Sequence, residues 1–177
     1  MRQFVVSISV LMLVVVLSTG AVVAQEASPA ASPAAIPEPL ATWAAALAAG
    51  DPEGIVATYT EDAVFEEVPI GVVTHGQDEL RAHLDQLQAA LGFSQVVTDA
   101  FVAGDWAAAE WVFTGTYSGQ FPGLPPGMGQ SVTIRGSSIL QLEGGKIREE
   151  RAYWDAYGLL VAVGAVPAPQ AAATPAA

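Results

Sequence analysis

Apolar residues recur at helical spacing from Leu40 to Leu91 and then, past Gly92, take up the tighter rhythm of strands. In LATWAAALAAG, Leu40, Trp43 and Leu47 fall on one helical face, and Gly50 is placed to stop the helix. Asp51 suits an N-cap and Pro52 a first helical position, so a second helix follows in which Ile55, Val56 and Tyr59 supply the buried side. AVFEEV reads as a short strand. GQDELRAHLDQLQAAL reads as a third helix with a stripe of Leu80, Leu84, Leu87 and Leu91. Four strands are predicted next: FSQVVTDAFVA, WAAAEWVFTGTYSG, SVTIRGSSILQLE and KIREERAYWD. They are separated by GD, by the loop QFPGLPPGMGQ and by GG, and LLVAVG is expected to close the domain as a short helix. Helices followed by a meander predict an α+β fold, with the N-terminal helices packed against a curved, mainly antiparallel sheet.

The flanks differ in character. Phe4 to Leu17 is almost wholly apolar behind Met1-Arg2-Gln3 and leads to Val22-Val23-Ala24, which predicts a signal peptide over 1–24 and export to the cell envelope or beyond. An uncleaved segment would instead anchor the chain to a membrane. Residues 25–39 are rich in Ala, Ser and Pro and predict a linker; 168–177 share that composition and predict a disordered tail. The folded domain is expected over 40–167.

Composition narrows the chemistry. The chain has no cysteine, which removes disulfides, thiolate nucleophiles and thiolate metal ligands. Without Arg2, five basic side chains face eighteen acidic ones, a balance of −13 that opposes nucleic acid and anionic lipid. His75 and His83 match no metal spacing and are expected to cap or to lie at the surface. No nucleophile elbow and no phosphate-binding glycine loop is present. No metal or organic cofactor is called for.

Acids beside aromatic residues remain. In ERAYWDAYGLL, strand parity puts Asp155 with Tyr153, Arg151 and Glu149, and turns Trp154, Ala152 and Glu150 the other way. Trp111, Phe113 and Tyr117 also share a parity, so aromatic faces meeting the helices would line a concavity with Asp155 at one end. Asp155 would there be a proton acceptor; equally, it would cap a helix beginning at Ala156. Phe65 and Glu67 share a face, and burial of that face would make Glu67 a base or the partner of Arg135 or Arg151.

Helices followed by four long strands resemble the nuclear transport factor 2-like superfamily, a cone-shaped α+β fold. Within it, LPPGMGQSV, GSSILQLEGGKI and the ending from Asp155 to Pro167 resemble SnoaL-like polyketide cyclases. The resemblance implies Asp155 as the general base that removes a carbon-bound proton, although Ala162 stands near the place of that family's glutamine. WAAALAAGDPEGIVATYTEDAVFEEVPIG resembles ketosteroid isomerases instead. Glu67 falls on their proton-shuttling carboxylate, Trp43 on their hydrogen-bonding tyrosine and Ser138 near their second acid. The site so implied has Asp155 and Glu67 as acid–base groups, with Trp43, Tyr59, Phe65, Trp111, Phe113, Tyr117, Arg151 and Tyr153 against a ligand. The expected partner is a small hydrophobic molecule held in an apolar pocket, bound without catalysis or cyclised and isomerised by proton abstraction alpha to a carbonyl. A homodimer through the open sheet face is also implied.

Overall fold

A computed structural model describes residues 35–121 and 123–169. The expected signal segment, most of the linker and nearly all of the tail lie outside these residues. The elements run α1 (Leu40–Ala49), α2 (Pro52–Ala57), β1 (Tyr59–Glu67), β2 (Val72–His75), α3 (Gly76–Leu91), β3 (Ser94–Ala103), β4 (Trp106–Tyr117), β5 (Gln130–Glu143), β6 (Lys146–Trp154) and α4 (Ala156–Ala162). They form one curved, unclosed six-stranded sheet of order β2-β1-β6-β5-β4-β3, with the helices packed on one face. The fold is the expected α+β arrangement. β1 runs parallel to β6 and every other pair is antiparallel, so the sheet is mixed.

Side-chain alternation decides what faces the helices. β5 turns Val132, Ile134, Ser138 and Leu140 inward, and β4 turns Ala107, Ala109, Trp111 and Phe113 inward. α3 lays Leu80, Leu84 and Leu91 against them, each side chain contributing about 1.5–3 kcal/mol by leaving water. Gly92 then adopts φ 52°, a left-handed conformation that ends α3 and directs Phe93 into the core.

Two elements depart from the sequence reading. The second helix stops at Ala57, and Tyr59 opens β1 because its buried ring and hydroxyl are engaged across the sheet by β6. β2, four residues with no turn signal of their own, pairs Thr74 with Phe65 and covers the sheet edge. α4 starts at Ala156, the start that the capping role of Asp155 predicts, and takes in the first residues of LLVAVG; Asp155 accepts the Gly158 N–H at 2.7 Å. Among the described residues no helix is long and apolar enough to cross a membrane.

Candidate functional site

Between the helices and the concave face of the sheet lies a cavity of about 80 Å³, the volume open to the centres of water-sized spheres. By that measure a single water needs roughly 10–15 Å³, so the space admits a small organic molecule. Its wall is mostly aliphatic and aromatic, and half-buried Leu87, Gln95, Trp154 and Leu159 lie around it. Among the described residues, the only charged ones lining it are Glu67 and Glu150.

Glu150 reaches the interior through an irregularity in strand pairing. The β5–β6 register shifts between Gln141 and Leu142, so Ile147 and Glu150, three residues apart, both face inward. There the carboxylate is only 3 % exposed, and each of its oxygens has a hydroxyl donor. Ser138 Oγ donates to Oε1 at 2.6 Å, and Tyr59 Oη donates to Oε2 in a very short bond. Trp111 Nε1 in turn donates to Ser138 Oγ at 3.0 Å. Gly136 makes that reach possible: a Cβ at this position would stand 2.3 Å from the Trp111 ring, which fills the space of the missing side chain. Burial raises the Glu150 pKa above that of an ordinary glutamate. The Ser138 and Tyr59 hydrogen bonds oppose the shift, and the negative charge of Glu67 adds to it. Burial, followed by the Glu150 charge and hydrogen bond, likewise pushes the Tyr59 phenol well above its usual range.

Glu67, at the end of β1, is supported differently. His83 Nε2 on α3 approaches its Oε2 to 3.1 Å, an ion-pair distance. Neither atom completes a hydrogen bond in that geometry, so the contact is a close approach rather than a formed bond. The Phe65 ring lies 5.9 Å from the imidazole. Trp43 Nε1 is also buried without a completed hydrogen bond, although the indole sits near enough to ease the Tyr59 shift slightly. Among the described residues no group of three or more His, Asp or Glu could hold a metal ion.

Of the residues singled out in the sequence, Glu67, Trp43, Tyr59, Phe65, Trp111 and Phe113 meet in this cavity. Four do not. Asp155 is exposed at the cap of α4. Arg151 lies 3.0 Å from Glu149 on the opposite face of β6. Tyr153, on that same outer face, borders a shallow concavity of about 500 Å³ with Glu110, Arg135 and Ser137. Tyr117 is fully buried and donates to the Pro125 carbonyl at 2.7 Å, fastening the loop before β5. The inner face of β6 is the one carrying Glu150, Ala152 and Trp154, because the sheet curls that way around the helices. Glu150 and His83 were the residues missed. Parity had already separated Glu150 from Asp155, but nothing in the sequence said which face was inside. His83 is buried against Glu67, not capping or surface-exposed as expected.

The family model described as SnoaL-like polyketide cyclase matches residues 39–163. Among solved structures, a candidate polyketide cyclase from a Silicibacter species is 26% identical, with 70% of this chain and 91% of that one covered and a TM-score of 0.62. A candidate polyketide cyclase from Xanthomonas campestris is 20% identical over 69% and 91%, with a TM-score of 0.61. A candidate hydroxylase from Streptomyces galilaeus is 22% identical over 72% and 83%, with a TM-score of 0.62. No curated protein matches the chain.

Proposed function

The chain belongs to the SnoaL-like polyketide cyclase family, and from that premise we propose that its cavity binds a small, largely apolar molecule with one polar end. The observation that carries this reading is the lining: an aliphatic and aromatic wall in which the charged groups among the described residues are two carboxylates from adjacent strands. Such a wall removes apolar ligand surface from water, while the acids fix orientation. Ligand binding raises the melting temperature by mass action, so a thermal-shift panel of small ketones, esters and aromatic alcohols tests it. Leu84→Trp, which fills the cavity from α3, should abolish every shift. Silence across the panel with the native chain, or shifts that survive in Leu84→Trp, would overturn the reading.

A second reading, proton abstraction alpha to a carbonyl, is favoured by the buried Glu67 Oε2, which lacks a completed hydrogen bond. Glu67 is the base in this account. Asp155 does not line the cavity, and its carboxylate is occupied by the α4 cap. The Tyr59 and Ser138 hydroxyls hold Glu150 in place as the neighbouring acid. Deuterium exchange into ethyl acetoacetate is the assay. Glu67→Gln should remove it and Asp155→Asn should leave it intact; the reverse pattern would return the role to Asp155.

A further inference from the structure

We infer that the preferred ligand of this cavity is a small alkylated ammonium ion, its charge held by Glu67 and Glu150 and its alkyl groups against the aromatic wall. The inference rests on the reading of the cavity as a ligand pocket, and it does not require proton abstraction. Its first support is a charge imbalance. Two acids face the space, and among the described residues no lysine or arginine lines it. Of the arginines nearest in sequence to lining residues, Arg81 pairs with Glu53 and Asp85, Arg148 lies near Glu143 and Arg151 near Glu149, while Arg135 borders the concavity on the outer sheet face. Carboxylates taken out of water need a counter-charge or a proton, and these two have little solvent to replace it.

The second support is independent of the acids. Trp43, Tyr59, Phe65, Phe93, Trp111 and Phe113 all contribute to the wall. Aromatic rings attract cations through the negative potential of their faces, most strongly where water is excluded, and alkylated ammonium ions lose little by shedding weakly held water. The third is Glu67 itself, 9 % exposed, with an oxygen that completes no hydrogen bond. His83 is the rival counter-charge, 3.1 Å from that same oxygen, Oε2, but it approaches Glu67 from α3 and does not line the space, whereas Glu67 does.

The groups whose charge a ligand would feel are therefore Glu67 on β1, Glu150 and Tyr59 bonded across the sheet, and His83 on α3. An entering cation favours the ionised form of Glu150, whose burial otherwise favours the protonated form. Cation binding should release protons and tighten as pH rises above the ordinary glutamate range. A neutral ligand should do neither.

The test is isothermal titration of the whole protein with tetramethylammonium, with choline, and with 3,3-dimethylbutan-1-ol, the uncharged carbon isostere of choline. At least one of the two cations is expected to bind roughly tenfold tighter than the alcohol. Proton release should show in the dependence of the heat on buffer ionisation. Glu67→Gln, checked for an intact melting transition, should erase the preference, and Glu150→Gln should erase the proton release. Equal or tighter binding of the alcohol would overturn the cation assignment and leave the pocket reading standing. No binding by any of the three, with no response to the wider thermal-shift panel, would overturn both.

Discussion

Ser138→Ala removes one oxygen from the centre of the Trp111–Ser138–Glu150 chain, and the size of its effect can be worked from the bonds it breaks. Ser138 is 0 % exposed, so no water replaces the hydroxyl. The 2.6 Å bond to Glu150 Oε1 is lost, and a hydrogen bond to a charged group contributes about 1.5–3 kcal/mol. The Trp111 N–H, 3.0 Å from Ser138 Oγ, is left without an acceptor, at a cost of about 1–3 kcal/mol. The two terms overlap, since Trp111 can shift and Glu150 can take up a proton, so a net loss of about 2–4 kcal/mol is expected. For a domain of this size that corresponds to roughly 8 to 16 °C in Tm. The volume removed is a single hydroxyl, which leaves little room for a cavity contribution. Urea denaturation at pH 7 measures the loss, with exposed Ser131→Ala on the same strand as the control and an expected change within about 0.5 kcal/mol. A loss below about 1 kcal/mol for Ser138→Ala, or one equal to that of Ser131→Ala, would refute the picture of Ser138 as a link in a buried chain.

Other consequences are as specific. Because burial raises the folded-state pKa of Glu150 above 4.5, the stability this group contributes is complete below that pH and is lost as pH climbs through the raised value. Wild type should therefore lose stability relative to Glu150→Gln as pH rises from about 4.5, and a difference independent of pH would contradict the shift. Gly136→Ala sets a Cβ within 2.3 and 2.5 Å of the Trp111 ring and 2.7 Å of the Tyr153 carbonyl, and should cost about 1–3 kcal/mol together with a shift in tryptophan emission. The outer sheet face exposes Val96, Phe101, Ile139 and Tyr153, the kind of patch a homodimer would cover. Phe101→Glu should convert the sedimenting species from two chains to one, whereas a wild type that already sediments as one chain rejects the dimer. For the proposed export, the intact mass of the secreted protein should correspond to cleavage after Ala24, and a mass including residues 1–24 would reject cleavage.

The order of elements was legible because hydrophobic period reports secondary structure directly: the Leu80–Leu91 stripe and the four alternating runs became α3 and β3 to β6. The parallel β1–β6 pair was not legible, since pairing between strands far apart in sequence leaves no local mark. The site divided along the same line. Parity correctly grouped Phe65 with Glu67 and Trp111 with Phe113, because alternation is a property of one strand. Which face of β6 points inward is a property of the sheet, set by its curl and by the register shift at Gln141 and Leu142, and there the aromatic neighbours of Asp155 misled. Asp155 capping α4 was one of the two roles its local sequence allowed. His83, three residues after Leu80 and four before Leu87, sits on the leucine stripe's face, but its partner Glu67 is sixteen residues away on another element and left no local mark.

The tryptophans offer the most direct test of the central claim that a small molecule occupies this cavity. The chain has four, so it gives four indole N–H resonances; Trp43, Trp111 and Trp154 line the space, and Trp106 lies exposed outside it. Titration with choline and with 3,3-dimethylbutan-1-ol, followed by nitrogen–proton correlation spectra, should move the three cavity indoles together and saturably while Trp106 stays still. Movement of Trp106 alone, or four indoles that respond neither to these two compounds nor to the ketones, esters and alcohols of the thermal-shift panel, would contradict the account.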